Sequence, residues 1–256
     1  VSTILNTLGL ETTALGFIAG FTGKAIEDGL ASQGIHTDFI HLPEGNSRIN
    51  VKVKHGDETE INGQGPVING LFAKLDTLTK EDILVLAGSI PNTLPEDIYE
   101  KILARLESKG IRIVVDATKD LLLNVLKYHP FLIKPNNHEL GEMFGTVCKT
   151  DEDIIHYAKK LQEMGAVNVL ISMAGDGAIL ITEDGQNIKM GTPKGKVVNS
   201  VGAGDSMVAG FVAGYLRGGS YEEALKSGTA AGSATAFSEG LASLEMYEKM
   251  LKQISE

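Results

Sequence analysis

Residues 82–118 read DILVLAGSIPNTLPEDIYEKILARLESKGIRIVVDAT, and their pattern indicates the fold class. Its two ends, DILVLAGSI (82–90) and IRIVVDAT (111–118), are short and mostly apolar on both faces, which is typical of buried strands. Between them, PEDIYEKILARLESKG (95–110) places apolar residues at helical spacing and ends at glycine, which predicts an amphipathic helix. A strand, a helix and a second strand in this order indicate parallel strands joined by a crossover helix.

The same alternation continues toward the C-terminus. Further strands are predicted at PFLIKPN (130–136), VNVLISMAG (167–175) and GAILIT (177–182), with a helix at DEDIIHYAKKLQEMG (151–165) and helices in the last third. We therefore predict an α/β fold with helices on both sides of a mostly parallel sheet. Because such sheets bind ligands at the carboxyl ends of their strands, the loops AGSIPN, DAT, KPNNHE and SMAGDG are expected to line the site.

The N-terminal quarter has a different pattern. TTALGFIAG (12–20) predicts one short buried strand, and GKAIEDGLASQG (23–34) predicts a short helix. From Thr37 to Asn62 polar and apolar residues alternate, with turn signals at PEGN and HGDE, which predicts an antiparallel sheet with one solvent-exposed face. This sheet is too small to hold a core of its own, so it is expected to be a lid. The predicted domains are a β-strand lid at 36–62 and an α/β core at 1–35 and 63–256.

Composition and charge exclude several classes of function. The 256 residues carry a formal net charge of −10, so neither a nucleic acid nor an anionic membrane is an expected partner. The apolar runs are too short to span a membrane. Cys148 is the only cysteine, which excludes an internal disulfide and fits the reducing cytoplasm, the expected location. The histidines show no zinc-ligand spacing, and the chain lacks the GxxxxGK(S/T) motif of P-loop enzymes.

VNSVGAGDSMVAGFVAGYL (198–216) places small residues and one carboxylate directly before a long helical pattern. Gly202, Ala203 and Gly204 leave room for a phosphate, and a helix start offers free N–H groups and the positive end of its dipole. Asp205 could cap the helix, or it could be the base that deprotonates a hydroxyl. From this stretch alone, the two roles are equally well supported.

KPNNHEL (134–140) ends one predicted strand and begins a helix. Asn136 or Asn137 can cap that helix, and capping accounts fairly well for Glu139 too. Capping does not require Lys134, however. A lysine, an amide and a carboxylate at the end of a strand also suit a magnesium–nucleotide site, where the metal keeps several water ligands.

Two further motifs each have a structural and a functional interpretation. SMAGDGAI (172–179) is rich in small residues and could wrap nucleotide phosphates, although periodicity favours a β-hairpin turn at GDG. Both can hold together, since a hairpin turn can also donate N–H groups. Arg48 lies in the alternating stretch NSRINVKV, where an exposed edge arginine is the default. The alternative is a guanidinium fork that grips a sugar phosphate.

Together these motifs resemble the PfkB/ribokinase family of carbohydrate kinases. VNSVGAGDSMVAGF is similar to the C-terminal motif of that family, KPNNHE to its Asn-x-x-Glu motif and SMAGDG to its nucleotide loop. The resemblance covers the chain from Val1 to the final helix and implies a ribokinase-like, three-layer α/β/α fold. SRINVKV, AGSIPNTLPEDIY and FLIKPNNHELGEMFG are most similar to members that phosphorylate fructose 1-phosphate or tagatose 6-phosphate. The resemblance therefore implies an enzyme that uses ATP and Mg²⁺ to convert fructose 1-phosphate to fructose 1,6-bisphosphate, with tagatose 6-phosphate as the alternative substrate.

The resemblance also implies a role for each site residue. Asp205 would take the proton from the sugar hydroxyl. The anion hole for the transferred phosphoryl group would consist of Gly202, Ala203 and Gly204. Magnesium and its waters would be organised by Asn136 and Glu139. The residues expected at ATP are Lys134 near the phosphates, Ser172, Gly175 and Gly177 along the site, and Gly232 near the adenine. The residues expected at the sugar phosphate are Arg48, which would grip its phosphate, and Ser47, Asn50 and Ser89 nearby.

The chain departs from the family pattern at three places. The nucleotide loop of the family usually has a glycine where this chain has Ala174, and ribokinase-like members often have a cation-associated aspartate where it has Asn199. The chain also begins within a helical pattern at Val1. We expect the first strand of the family, part of its lid and a GGKGxN loop to belong before that residue.

Two competing interpretations follow from these departures. One is a sugar-phosphate-binding regulatory protein with an inactive kinase fold, which Ala174 slightly favours and the intact Asp205 argues against. The other is a non-functional fragment. A homodimer formed through the lid is one assembly that the sequence allows, because small exposed sheets favour a cover.

Overall fold

The structure, a computed structural model, is built around a six-stranded sheet. It describes residues 1–47, 50–55, 57–62, 70–88 and 95–255, and at 50–55 and 57–62 it describes the backbone. The described strands are β1 (Thr13–Ala14), β2 (Phe17–Ile18), β3 (His36–Thr37), β4 (Ile40–His41), β5 (Asn50–His55), β6 (Asp57–Asn62), β7 (Ile83–Ala87), β8 (Arg112–Asp116), β9 (Leu132–Ile133), β10 (Asn168–Ser172), β11 (Ala178–Ile181) and β12 (Asn187–Met190). The described helices are α1 (Ser2–Thr7), α2 (Gly20–Ser32), α3 (Leu71–Leu75), α4 (Ile98–Leu106), α5 (Lys119–Val125), α6 (Asn137–Met143), α7 (Asp151–Glu163), α8 (Ala203–Gly218), α9 (Tyr221–Ala236) and α10 (Leu244–Ser255). Within the described ranges, no helix has the length and apolar character needed to cross a membrane.

The order of the strands in the sheet is β12-β11-β10-β9-β8-β7. The strands β7 to β10 run parallel, while β11 and β12 extend the sheet in antiparallel pairing. This confirms the predicted mostly parallel sheet. It also confirms the hairpin turn at GDG, because a short 3-10 turn at Ala174–Asp176 joins β10 to its antiparallel neighbour β11.

Side chains that alternate along the strands fill two hydrophobic cores, one on each face of the sheet. Val115 and Ile133 pack in the core that the sheet forms with α4, α5, α6 and α7. Val114 and Leu132, which precede them on the paired strands, pack in the core formed with α1, α8, α9 and α10. Helices therefore cover both faces, which confirms the predicted three-layer α/β/α fold.

The predicted antiparallel sheet at 37–62 is wrong in its first part. β3 pairs parallel with β1, and β4 pairs parallel with β2, so the segment 36–41 extends the N-terminal strands. The antiparallel hairpin consists of β5 and β6, with Asn50 opposite Asn62. Alternation of polar and apolar residues indicates one solvent-facing side, but it carries no information about the direction of the partner strand. The division into a lid and a core stays a prediction.

The N-terminal elements begin and end where distant residues hold them. The single strand predicted at 12–20 is two short strands, β1 and β2. α2 begins at Gly20 rather than at Gly23, and the backbone N–H of its N-cap residue Ala19 donates to Ser47 Oγ at 2.9 Å. Ser47 is 28 residues from Ala19 along the chain, so the local sequence does not contain this contact.

The helices α8 and α9 pack so closely that glycine is required between them. A β-carbon built on Gly210 would lie 2.5 Å from the carbonyl oxygen of Ser227, and one on Gly214 would lie 2.6 Å from the carbonyl oxygen of Glu223. Real β-carbons do not approach backbone oxygens this closely. The packing of α9 therefore determines where α8, and with it the turn GAGD, lies over the sheet.

Candidate active site

The carboxyl ends of β8 and β9 bring a carboxylate and a lysine together. Asp116 is the last residue of β8, and Lys134 directly follows β9. The Lys134 Nζ lies 3.2 Å from Asp116 Oδ1, and the two side chains are only 7% and 20% exposed, respectively. Charged groups are seldom buried in this way unless they are paired, and buried pairs concentrate at functional sites.

The turn GAGD reaches the same place from the helical layer. Gly202 has a left-handed backbone, with φ at +80°, and it is the N-cap of α8. A β-carbon built on Gly204 would lie 3.2 Å from Lys134 Nζ, so the ammonium lies against the turn. The free N–H groups of the helix start and the lysine charge therefore both attract an anion at this point.

Asp205 lies in the first turn of α8 and is half-buried. The capping interpretation is wrong, because Gly202 occupies the N-cap and no side-chain cap bond holds the helix start. None of the described residues hydrogen-bonds to the Asp205 carboxylate. A carboxylate without such partners can accept a proton from a hydroxyl placed beside it.

Asp205 and Glu139 lie within electrostatic reach of the Asp116–Lys134 pair. Burial raises the pKa of Asp116, the Lys134 ammonium works against this rise, and the charges of Asp205 and Glu139 add to it. Three carboxylates therefore share the surroundings of one ammonium. This excess of negative charge suits a site that binds a cation together with its anionic ligand.

Asn136 and Glu139 form a capping box at the start of α6, which confirms the structural interpretation of KPNNHE. The Asn136 Oδ1 accepts the Glu139 N–H at 2.8 Å, and the Glu139 Oε2 accepts the Asn136 N–H at 2.8 Å. Across the described ranges, no group of three acidic, histidine or cysteine side chains could hold a metal. A metal at this place would need ligands from water and from a bound substrate as well.

The residues of SMAGDG have different surroundings. Ser172 ends β10 and forms a parallel bridge with Asn136, which joins the two motifs at the backbone. Gly175 is exposed, with open space where a side chain would be. Gly177 has a φ of +93°, and a β-carbon there would lie 2.0 Å from the last carbonyl oxygen of β12, so packing alone requires this glycine. Ala174 has a φ of +48°, in the region that favours glycine.

Gly232 is buried in α9, away from open surface. A β-carbon there would lie 3.1 Å from the carbonyl oxygen of Ala203 and 3.3 Å from the β-carbon of Met207. Its lack of a side chain therefore lets α9 approach the first turn of α8. A contact between Gly232 and adenine stays a prediction.

The residues predicted at the sugar phosphate are only partly described. Ser47 is buried, and its hydroxyl accepts the Ala19 N–H while its carbonyl oxygen accepts the Thr22 hydroxyl at 2.8 Å. Its side chain thus holds the start of α2. Asn50 is the first residue of β5. Arg48 and Ser89 lie outside the described residues.

Exposed apolar side chains flank the turn GAGD. Val198, Val201 and Leu241 are 50%, 46% and 46% exposed, respectively. A β-carbon built on Gly202 would lie 3.0 Å from Leu241 Cδ2, so this apolar surface adjoins the helix start. Apolar surface beside a few placed polar groups is typical of a small-molecule site.

Asn199 joins the loop before α8 to the loop after α9. Its Nδ2 donates to the carbonyl oxygen of Glu239 at 3.0 Å, and its Oδ1 accepts the Val201 N–H at 3.1 Å. The backbone N–H of Asn199 also donates to the carbonyl oxygen of Ala236 at 3.1 Å. These bonds hold the entrance of the turn GAGD in place.

Comparisons with known proteins agree with this fold. A model of the pfkB family carbohydrate kinases matches residues 1–246. The chain belongs to the pfkB family of carbohydrate kinases.

The chain is 48% identical over 259 residues to 1-phosphofructokinase of Bacillus subtilis, covering 99% of this chain and 85% of that protein. It is 39% identical over 260 residues to D-tagatose-1-phosphate kinase of Bacillus licheniformis, with 99% and 85% covered. A crystal structure described as a phosphofructokinase from Staphylococcus aureus is similar at a TM-score of 0.89 and 46% identity, covering 98% of this chain and 83% of that one.

The sequence did not single out two residues at the candidate site of this pfkB-family kinase. DAT (116–118) is one of the strand-end loops expected to line the site, but a lone aspartate after a strand gives no sign of its partner. Tyr99 gave no signal either, because a tyrosine on the apolar face of a helix is ordinary core. Its hydroxyl donates to the Gly88 carbonyl oxygen at 3.2 Å, and burial together with the Asp116 charge raises its pKa to about 12.

Gly204→Ala is expected to remove most of the activity of this kinase without unfolding it. The backbone of Gly204 is helical, and alanine favours a helix over glycine by up to about 1 kcal/mol, so the fold should be retained. The added methyl group would push against the Lys134 ammonium and occupy the space for an anion. We expect kcat/KM to fall on the order of 10²-fold, measured by coupled release of ADP.

The matched control for this substitution is Gly29→Ala. Gly29 lies within α2, it is exposed, and a β-carbon there would have no neighbour within 4 Å. This variant should keep the activity of the unmodified protein. If Gly204→Ala were equally active, the anion would not lie at the turn GAGD.

Proposed function

We propose that this carbohydrate kinase transfers the γ-phosphoryl group of ATP to the C6 hydroxyl of fructose 1-phosphate, which forms fructose 1,6-bisphosphate and ADP. The observation that carries the proposal is the Asp205 carboxylate, which has no hydrogen-bond partner among the described residues at a helix start beside the Lys134 ammonium. The 48% identity to the B. subtilis 1-phosphofructokinase supports the choice of sugar.

In this proposal Asp205 accepts the proton of the sugar hydroxyl as its oxygen attacks phosphorus. The Gly204 N–H, at the positive end of α8, stabilises the negative charge of the transferred group. The Ala203 N–H, also predicted for the anion hole, donates to the Ser200 carbonyl oxygen at 3.2 Å and would have to leave it to bind the anion. Lys134 supplies a positive charge next to Gly204. Phosphoryl transfer depends mainly on positioning and on stabilising charge, and these groups serve both needs.

The apolar surface beside the helix start gives the nucleotide base a place to bind. Val198, Val201 and Leu241 are exposed next to Gly202, so a base on them would extend its phosphates toward the turn GAGD. Gly232 stays assigned to the adenine, and Ser172, Gly175 and Gly177 are assigned to the rest of the nucleotide.

The donor set fits Mg²⁺ held together with water and ATP. Magnesium prefers oxygen ligands and usually takes one or two carboxylates plus substrate phosphates. Glu139 would hold the ion, directly or through water, and the capping box with Asn136 orients the Glu139 side chain. When bound, the ion supplies positive charge that offsets the charge of the phosphates.

The residues at the existing phosphate of the sugar determine which end of the sugar carries that phosphate. We assign that phosphate to Arg48, with Ser47, Asn50 and Ser89 nearby. One relative is named D-tagatose-1-phosphate kinase. Tagatose 1-phosphate has its phosphate at the same carbon as fructose 1-phosphate, and the two sugars differ at C4. Tagatose 1-phosphate is therefore the nearest competing substrate, and tagatose 6-phosphate, with its phosphate at the other end, is a more distant one.

The test measures ADP release with each of the three sugar phosphates, with product identified by phosphorus NMR. We expect kcat/KM to be highest for fructose 1-phosphate, with a new phosphate resonance at C6. A higher kcat/KM for tagatose 1-phosphate would show that tagatose 1-phosphate is the preferred substrate, and the proposed reaction, phosphoryl transfer from ATP, would stand. Binding of sugar phosphate and ATP without any turnover would instead indicate a regulatory protein with an inactive kinase fold.

A further inference from the structure

The positions of Asp116 and Lys134 follow from the register of two parallel strands. Val114 pairs with Leu132 and Val115 pairs with Ile133 across β8 and β9. Side chains two residues apart on a strand share a face, so Asp116 lies on the face of Val114 and Lys134 on the face of Leu132. That face carries α8. The two charges therefore come together under the turn GAGD as a consequence of sheet register.

More than one carboxylate lies near the Lys134 ammonium. Lysine is a compact charge on a flexible stem, so its position depends on its surroundings. Asp205 and Glu139 both act electrostatically on Asp116, which places them near the same pair. Lys134 nonetheless pairs with Asp116, at 3.2 Å, and lies against Gly204. Asp116 thus competes with the proposed base for the lysine.

Resting on the proposed function, we propose that Asp116 is a positioning residue that anchors the Lys134 ammonium against Gly204 and keeps it from pairing with Asp205. Anchored in this way, Lys134 presents its charge to the phosphoryl group. Asp205 meanwhile stays free to accept the proton. Asp116 itself touches neither the sugar nor the nucleotide in this arrangement.

Asp116→Asn tests this role, because asparagine keeps the shape of the side chain and removes its charge. The ammonium would then turn toward Asp205 or Glu139. We expect kcat to fall about tenfold, as when the partner that orients a functional group is lost, while the KM for the sugar phosphate stays unchanged. Asp205 and Glu139 remain as partners for the buried ammonium, so the substitution should not unfold the chain, which thermal melting will check.

A double-mutant cycle with Lys134→Met separates positioning from an independent role. If Asp116 acts through Lys134, the double variant should be no slower than Lys134→Met alone. If the two losses multiply, or if Asp116→Asn mainly raises the magnesium concentration needed for activity, the proposal is overturned. The matched control is Asp76→Asn, which removes an exposed carboxylate that is paired with Arg105 and should leave kcat unchanged.

A crystal structure of Asp116→Asn decides the same question without activity. We expect Lys134 Nζ to leave Gly204 and to pair with Asp205 or Glu139. An ammonium that stays in its place would overturn the proposal even if the variant were slow. Failure of the proposed function is a separate result, because it would appear as an inactive unmodified protein.

Discussion

Replacing Asp205 with asparagine is expected to lower kcat on the order of 10³-fold, the cost of losing a general base. Asparagine has nearly the same shape as aspartate but cannot take up the hydroxyl proton. The affinity for ATP, measured by calorimetry, should change little, because the helix start and Lys134 stay in place. Removal of a carboxylate that repels Asp116 should leave the melting temperature equal or slightly higher.

Asp28→Asn is the control for this experiment. Asp28 is an exposed residue of α2 that pairs with Lys24, far along the chain from the turn GAGD. It should keep the kcat of the unmodified protein. If Asp205→Asn kept kcat within tenfold, Asp205 would not be the base. A variant that lost ATP binding and melted early would show a structural role for Asp205.

Replacing Gly210 with alanine is expected to lower the free energy of unfolding by about 2 kcal/mol, within the usual cost of overpacking a core. The added methyl group would lie 2.5 Å from the Ser227 carbonyl oxygen and 2.7 Å from the β-carbon of Ala231. Neither neighbour is a flexible side-chain end, so α8 and α9 must separate. Urea-induced unfolding followed by circular dichroism measures the change.

The same Gly29→Ala variant serves as the reference for this substitution. It makes the same chemical change in a helix where nothing surrounds the new methyl group, so it should gain about 0.5–1 kcal/mol. Opposite signs for the two variants would support the close packing of α8 and α9. Equal gains would mean that the helices are further apart than the structure places them. We also expect Gly210→Ala to lower kcat, because movement of α8 carries Asp205 with it.

The α/β part of the fold could be predicted because its signals are local. The strand at 111–118 is apolar on both faces, and the amphipathic helix before it ends at glycine. The Asn136–Glu139 capping box and the hairpin turn at Ala174–Asp176 are likewise short-range devices, whose participants lie within a few residues of one another. Each could therefore be inferred without knowing what lies on the other side of the sheet.

The pairing of β3 and β4 could not be predicted in the same way. Residues 36–41 alternate as an edge strand does, yet their partners come from 13–18 and run parallel. The start of α2 depends on the Ser47 hydroxyl, which comes from another part of the chain. In both cases a hydrogen-bond partner distant in sequence decides the structure.

In the candidate site, too, some features could be predicted from local sequence and others depend on contacts between distant segments. Local residue patterns identify the turn GAGD, Lys134 and the Asn136–Glu139 pair, because anion binding and helix starts impose residue types at fixed local spacing. The folded chain shows that Asp205 is not the cap of α8, that Gly232 serves helix packing, and that Asp116 pairs with Lys134. Those facts depend on strand register and helix approach, and so on contacts between segments far apart in the chain. Charge and space at a site are properties of such contacts, which local residue patterns do not encode.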